Sequence, residues 1–368
     1  YLLVSLVIAL ITLLVLFLAA LGEGLANGNK EFISKLDGEL VLYQEQANLS
    51  VSASQLGQST MNDIRRLDGI RDAGAIGISA VFIDYAGAPE RESVSLIGVE
   101  PGLPGEPLVE RGQQLSSLRA NEALIGRNVA QRTGLDVGDT LVVNATQGTV
   151  DEQYPLQIVG VTGGQQYFIQ PSVFVPLYTW ERIRPRPTAN IGPSELTFNI
   201  VNVKLQDPAQ AESVAAALPQ FLSGIEAVDL VTAYEATPGY VEQNSTINTQ
   251  RGFTLLIGIL VVGGFFQIQT LQKVGQVGML KALGASNLVV ALGATIQIVT
   301  VNTVGVIIGG IATLLLAQTL PPTIPIVFLG QEILVAVITL LVIGPLGGMV
   351  SIRYLLRVEP LTALGLTN

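Results

Sequence analysis

The chain has 368 residues, 49% hydrophobic and 13% charged, with a net charge of −10 and neither histidine nor cysteine. Those absences exclude disulfides, thiolate zinc sites and histidine general bases. The acidic surplus falls between Glu23 and Glu242, which argues against a nucleic-acid partner.

Charge is scarce where apolar runs dominate: between Gly252 and Val350 only Lys273, Lys281 and Glu332 are charged. The first run, residues 1–22, reads as a transmembrane helix, because about 20 apolar residues span a bilayer core of about 30 Å. LAALG near its end resembles a weak cleavage signal, but the run exceeds the usual length of a signal-peptide core. The chain opens at Tyr1 without Met, so a short preceding stretch is expected.

Residues 23–251 read as a large extramembrane α+β domain. Strands are expected at 38–43, 80–85, 93–99, 140–145, 154–161, 172–177, 196–205 and 227–234, many bounded by Gly, Pro or Asp. Helices are expected at Ala53–Leu67, Asn121–Thr133, which Gly134 is placed to end, and Pro208–Leu218. The stretch of about 90–180 reads as a strand-rich insertion. Its flanks, 38–85 and 195–235, each combine strands with a helix and are expected to pair across it. Gly28–Leu36 and Thr237–Gly252 read as helical stalks that continue the first two spans.

Further runs give a second transmembrane helix at 252–271, a third at 288–316 and a fourth at 328–350. They are joined by a loop at 272–287 and another at 317–327, and a tail follows at 351–368. Lys273 and Lys281 lie in the first loop, and Arg353 and Arg357 in the tail. The positive-inside rule therefore places both in the cytoplasm and the 23–251 domain outside. Glu332 falls near the end of its span, within reach of the headgroups.

No catalytic set emerges. The serines of Ser52–Ser54 and Ser116–Ser117 lack an activating histidine. Asp136 and Asp139 read as turn residues, and the glycines from Gly98 to Gly112 match no phosphate loop. Arg182, Arg184 and Arg186, in ERIRPRP, read most simply as a solvated loop, the sharper alternative being a contact with a partner protein or an anionic headgroup. No metal or cofactor site is expected in this chain.

The most informative segment is LQKVGQVGMLKALGASNLVV, 271–290. Val277, Met279, Leu280 and Leu283 supply an apolar surface, Lys273 and Lys281 supply charge, and Gly284 can end a short helix before Ser286 opens the next. Its bland reading is a surface-lying loop helix, and its functional reading is a docking element. Gln276–Ser286, QVGMLKALGAS, resembles the REIGILKALGAS loop of the FtsX-like permease family of ABC transporters, which includes the MacB, LolC/LolE and DevC types. The tail 345–364, with Arg357, Pro360, Ala363 and Leu364, resembles the tail of that family. Residues 95–115, 123–143 and 154–163 are similar to segments of the MacB-type periplasmic core.

The resemblance implies a non-catalytic permease subunit in a bacterial cytoplasmic membrane. It would pair with a second copy or a paralogue and bind cytoplasmic ATPase subunits that carry the ATP. It would meet membrane lipid, and an adaptor outside. Docking would fall to Lys273, Gln276, Met279, Leu280, Lys281, Leu283 and Gly284, with tail contacts from Arg353, Arg357 and Pro360. The implied work is export or release of a lipoprotein, peptide, drug or glycolipid. The alternative is regulation of an extracytoplasmic hydrolase without transport. The sequence departs from the family at Gln272, Lys273 and Gln276, where acidic and arginine residues are usual, and at Gln297 and Asn302, where relatives often carry glutamate.

Overall fold

The computed structural model describes residues 2–85, 91–167, 169–187, 195–320, 324, 326–328 and 330–356. They form two compact units, one drawn from Tyr1–Leu25 and Asn244–Asn368, the other Ala26–Gln243. The helices α1 (Leu2–Ser34) and α7 (Tyr240–Gln272) contribute residues to both units.

The Ala26–Gln243 unit is mixed α+β. In chain order its strands are β1 (Leu40–Gln44), β2 (Leu56–Gly57), β3 (Ile70–Asp84), β4 (Glu92–Val99), β5 (Val109–Gly112), β6 (Glu122–Gly126), β7 (Thr140–Gln147), β8 (Val150–Thr162), β9 (Gln166–Tyr167), β10 (Gln170–Pro176), β11 (Thr197–Phe198), β12 (Ile200–Leu205) and β13 (Ile225–Asp229). Its other helices are α2 (Gln58–Ile64), α3 (Arg127–Thr133), α4 (Leu177–Ile183), α5 (Ala211–Phe221) and α6 (Leu230–Glu235). The main sheet runs β13-β1-β12-β3-β4-β10-β6-β8-β5, with β7 on β3 and β8, and β9 on β10.

The flanking strands pair as expected, β1 lying between β13 and β12, and β12 on β3. The strands of the 90–180 stretch join the same sheet, because β3 is 15 residues long. Its first half pairs with β12, while Ile76–Ile83 pairs with β4 and Phe82–Asp84 with β7.

Three expectations are corrected. The helix read over Asn121–Thr133 begins only at Arg127; residues 122–126 form β6, whose EALIG run is covered on both faces and shows no strand alternation. The helix read over Ala53–Leu67 shrinks to Gln58–Ile64. There Ser59 N–H donates to the Glu195 carboxylate at 2.8 Å, and this amide, with the Ser59 hydroxyl and the Gln58 amide, holds that carboxyl below its ordinary pKa. The strand read over 227–234 stops at Asp229, whose side chain accepts from Thr232 N–H and starts α6.

The arginines of ERIRPRP are not a solvated loop either. Arg182 lies in α4, and Arg184 and Arg186 both pair with Glu181, at 2.8 and 2.9 Å. Beside them stands Trp180, 2% exposed, with Arg184 stacked 5.2 Å from its ring and its indole N–H donating to Ser79 Oγ at 3.0 Å. Gly77 and Gly98 are register partners on β3 and β4. A Cβ on either would collide with Trp180, so two facing glycines make the bed on which the indole lies.

The helical stretches Leu2–Gly28, Tyr240–Gln272 and Asn287–Thr319 are long and apolar enough to cross a membrane; in α10 the apolar stretch Ile333–Met349 is shorter. Here α8 is Val274–Ala282, α9 is Asn287–Thr319 and α10 is Gly330–Leu356. The α9 glycines Gly305 and Gly309 lie against Ile8, Ala9 and Thr12 of α1, where an added Cβ would stand 2.5–2.6 Å away. Gly263 of α7 meets Gly347 of α10 in the same manner, a built Cβ on Gly347 standing 2.9 Å from Gly263 N. Small residues admit close backbone approach where lipid removes the hydrophobic drive for association.

Candidate partner-docking site

The helix α7 ends at Gln272, and Lys273 takes the turn, its N–H donating to Thr270 O at 3.0 Å. Nine residues of α8 follow, and then two residue types dictate the joint. Gly284 adopts φ +96°, open to glycine at little cost, and donates to Lys281 O at 3.0 Å, while Ala285 N–H donates to Leu280 O at 3.0 Å. This pair of bonds is a Schellman stop. Ser286 then caps α9, its hydroxyl accepting from Val289 N–H. The GAS triplet thus ends one helix and starts the next.

Of the residues expected to dock a partner, Met279, Leu280 and Leu283 are exposed, Leu283 at 81%. Lys273, Gln276 and Leu280 share the lining of a cavity of about 390 Å3. Lys273 Nζ donates to Gln297 Oε1 at 3.0 Å, so one departure from the family answers another. Lys281 Nζ donates to Leu356 O at 2.9 Å, placing a cation at the C-terminal end of α10, where the helix dipole favours it. Arg353, exposed, is in the last turn of α10. Arg357 and Pro360 lie outside the described residues. Lys281 therefore ties the loop helix to the tail, a link between residues 75 apart that no local pattern announces.

Sequence reasoning noted Asn302 but missed its role. Pro345, inside α10, has no N–H for Leu341 O four residues back. Asn302, 1% exposed on α9, supplies the missing donor: its Nδ2 donates to Leu341 O at 3.0 Å and to Leu340 O at 3.1 Å. Gly344 leaves room for it, since a Cβ there would lie 2.5 Å from the Asn302 side chain. A proline in one span and a buried asparagine in its neighbour were the available signal. Asn302→Leu is expected to cost about 1–3 kcal/mol by orphaning a buried carbonyl, read as a lowered melting temperature of the purified full chain.

Among the described residues, no three His, Cys, Asp or Glu side chains gather into a metal-binding group. What the arrangement offers is a rigidly terminated short helix presenting leucine and methionine.

The family model of the MacB-like periplasmic core domain matches residues 1–221, and that of the FtsX-like permease C-terminal region matches 252–360. A protein of Staphylococcus haemolyticus named as the hemin transport system permease HrtB is 22% identical over 365 residues, 99% of this chain and 95% of that one. An uncharacterised ABC transporter permease of Mycobacterium tuberculosis is 23% identical over 291 residues, 78% of this chain and 70% of that one. The periplasmic region of MacB from Actinobacillus actinomycetemcomitans aligns with a TM-score of 0.39 and 11% identity, over 54% of this chain and 92% of that one.

Proposed function

Because the chain belongs to the FtsX-like permease family of ABC transporters and carries a MacB-like periplasmic core domain, we propose that it couples ATP hydrolysis on a separate cytoplasmic ATPase to movement of its 23–251 domain outside. In this reading the membrane is crossed four times, at 1–22, 252–271, 288–316 and 328–350. The loop 272–287 and the tail face the cytoplasm, and two permease chains assemble with the ATPase. The observation that carries it is the α8 joint. Exposed Met279 stands on α8 and exposed Leu283 caps its end before the Gly284 stop, and Lys281 bonds that helix to α10. A push on α8 can therefore reach two membrane helices, α9 through the Ser286 cap and α10 through Lys281.

The work done is export or release of an amphipathic substrate. Lipoproteins, peptides, drugs and glycolipids are the classes to test, and the name of the staphylococcal relatives adds hemin. The chain has no cysteine, so single substitutions report topology directly. Ser223→Cys should react with an impermeant maleimide in intact cells, and Ala282→Cys only after permeabilisation. Permease and ATPase reconstituted together should hydrolyse ATP faster than the ATPase alone, with further stimulation by the cargo. Reversed labelling, or an ATPase rate indifferent to the permease, would overturn the reading.

A further inference from the structure

The cavity beside α8 has two chemistries in its lining. Phe266, Val290 and Ile298 are buried and apolar. Gln269, Lys273 and Gln297 are polar, and Lys273 is the one charged side chain among the described lining residues. Gln269 Oε1 is buried without a hydrogen-bond donor among the described residues, and a buried acceptor left unpaired is unfavourable. On the membrane-spanning reading of α7, the level in the membrane follows as well. Residues 253–271 of α7 are uncharged and rise about 28 Å at 1.5 Å per residue, close to the bilayer core of about 30 Å. Lys273 then falls where phosphates sit.

We propose that this cavity holds an anionic phospholipid with a hydroxyl-bearing headgroup, its phosphate beside Lys273, its hydroxyl donating to Gln269 Oε1, and the start of an acyl chain against Phe266, Val290 and Ile298. Basic pockets between spans are suited to such headgroups, and about 300–1,000 Å3 is the usual size of a small-molecule site. The proposal rests on the membrane-spanning reading of α7, not on docking of the ATPase.

The test is native mass spectrometry of the full-length chain with phosphatidylglycerol, phosphatidylcholine or soluble glycerophosphoglycerol added. One phosphatidylglycerol per chain should be retained in preference to phosphatidylcholine, with glycerophosphoglycerol a poor competitor. Lys273→Met should lower retention about fivefold, the equivalent of one basic residue near a phosphate. Gly293→Leu should lower it comparably without lowering the melting temperature: Gly293 lines the cavity, and a Cβ there meets nothing within 4 Å. Lys281→Met, which removes a cation outside the lining, should leave retention unchanged. Wild-type retention in both Lys273→Met and Gly293→Leu, or equal retention of phosphatidylcholine, would overturn the site. Equal competition by the soluble headgroup would overturn the lipid as its occupant. No ATPase is present, so these outcomes are independent of the coupling proposal.

Discussion

Trp180→Ala is expected to cost the Ala26–Gln243 unit about 3–5 kcal/mol, the range for removing a large buried aromatic. The upper part of that range is expected, because the cavity cannot collapse. Its floor is Gly77 and Gly98, whose missing side chains have nothing to move into the space. Its wall includes Arg184, which would lose its stacking partner. The reciprocal change tests the same geometry. Gly98→Val places a branched side chain where the indole lies, and overpacking of this kind costs about 1–3 kcal/mol or more. The residue 26–243 fragment, a compact unit with its own core, should show both losses in urea unfolding. Equal midpoints for wild type and Trp180→Ala would remove the indole from its role in joining α4 to β3 and β4.

What could be read from the residues alone follows from how local the determinants are. Gly284 and Ser286 dictate backbone geometry by their own chemistry, so the α8–α9 joint was legible in the letters GAS. Gly134 likewise ends α3, at φ +74°. The Asn121–Thr133 segment failed because apolar residues of a strand covered on both faces run into the first turn of a helix without a change of period. The Arg184 and Arg186 pairs with Glu181 escaped because charged letters amid prolines look solvated until the fold supplies the partner. The Lys281–Leu356, Lys273–Gln297 and Asn302–Leu341 contacts join residues 75, 24 and 39 apart. Each is created by helix packing, and none is carried by a motif.

Leu283→Asp is expected to abolish permease-dependent ATPase stimulation while leaving the membrane helices folded. At 81% exposure Leu283 contributes little to this chain's own packing, so its burial energy is available to a partner. Full burial of a leucine contributes about 1.5–3 kcal/mol, and a carboxylate in an apolar groove adds a desolvation cost. Binding should therefore weaken by at least about tenfold. Gly284→Val tests the geometry instead of the surface. It keeps Met279 and Leu283 but forces a β-branched residue to φ +96°, a strain of about 1–3 kcal/mol. Relief requires the Schellman turn to open, which disconnects α8 from α9. That variant should hold the ATPase better than Leu283→Asp yet transmit no stimulation. Lys281→Met should bind normally and lose only the share of coupling carried through α10. Co-purification with the ATPase, followed by hydrolysis rates in nanodiscs, separates the three. Unchanged complex formation and unchanged rates across the set would refute docking at α8, whatever the family resemblance implies.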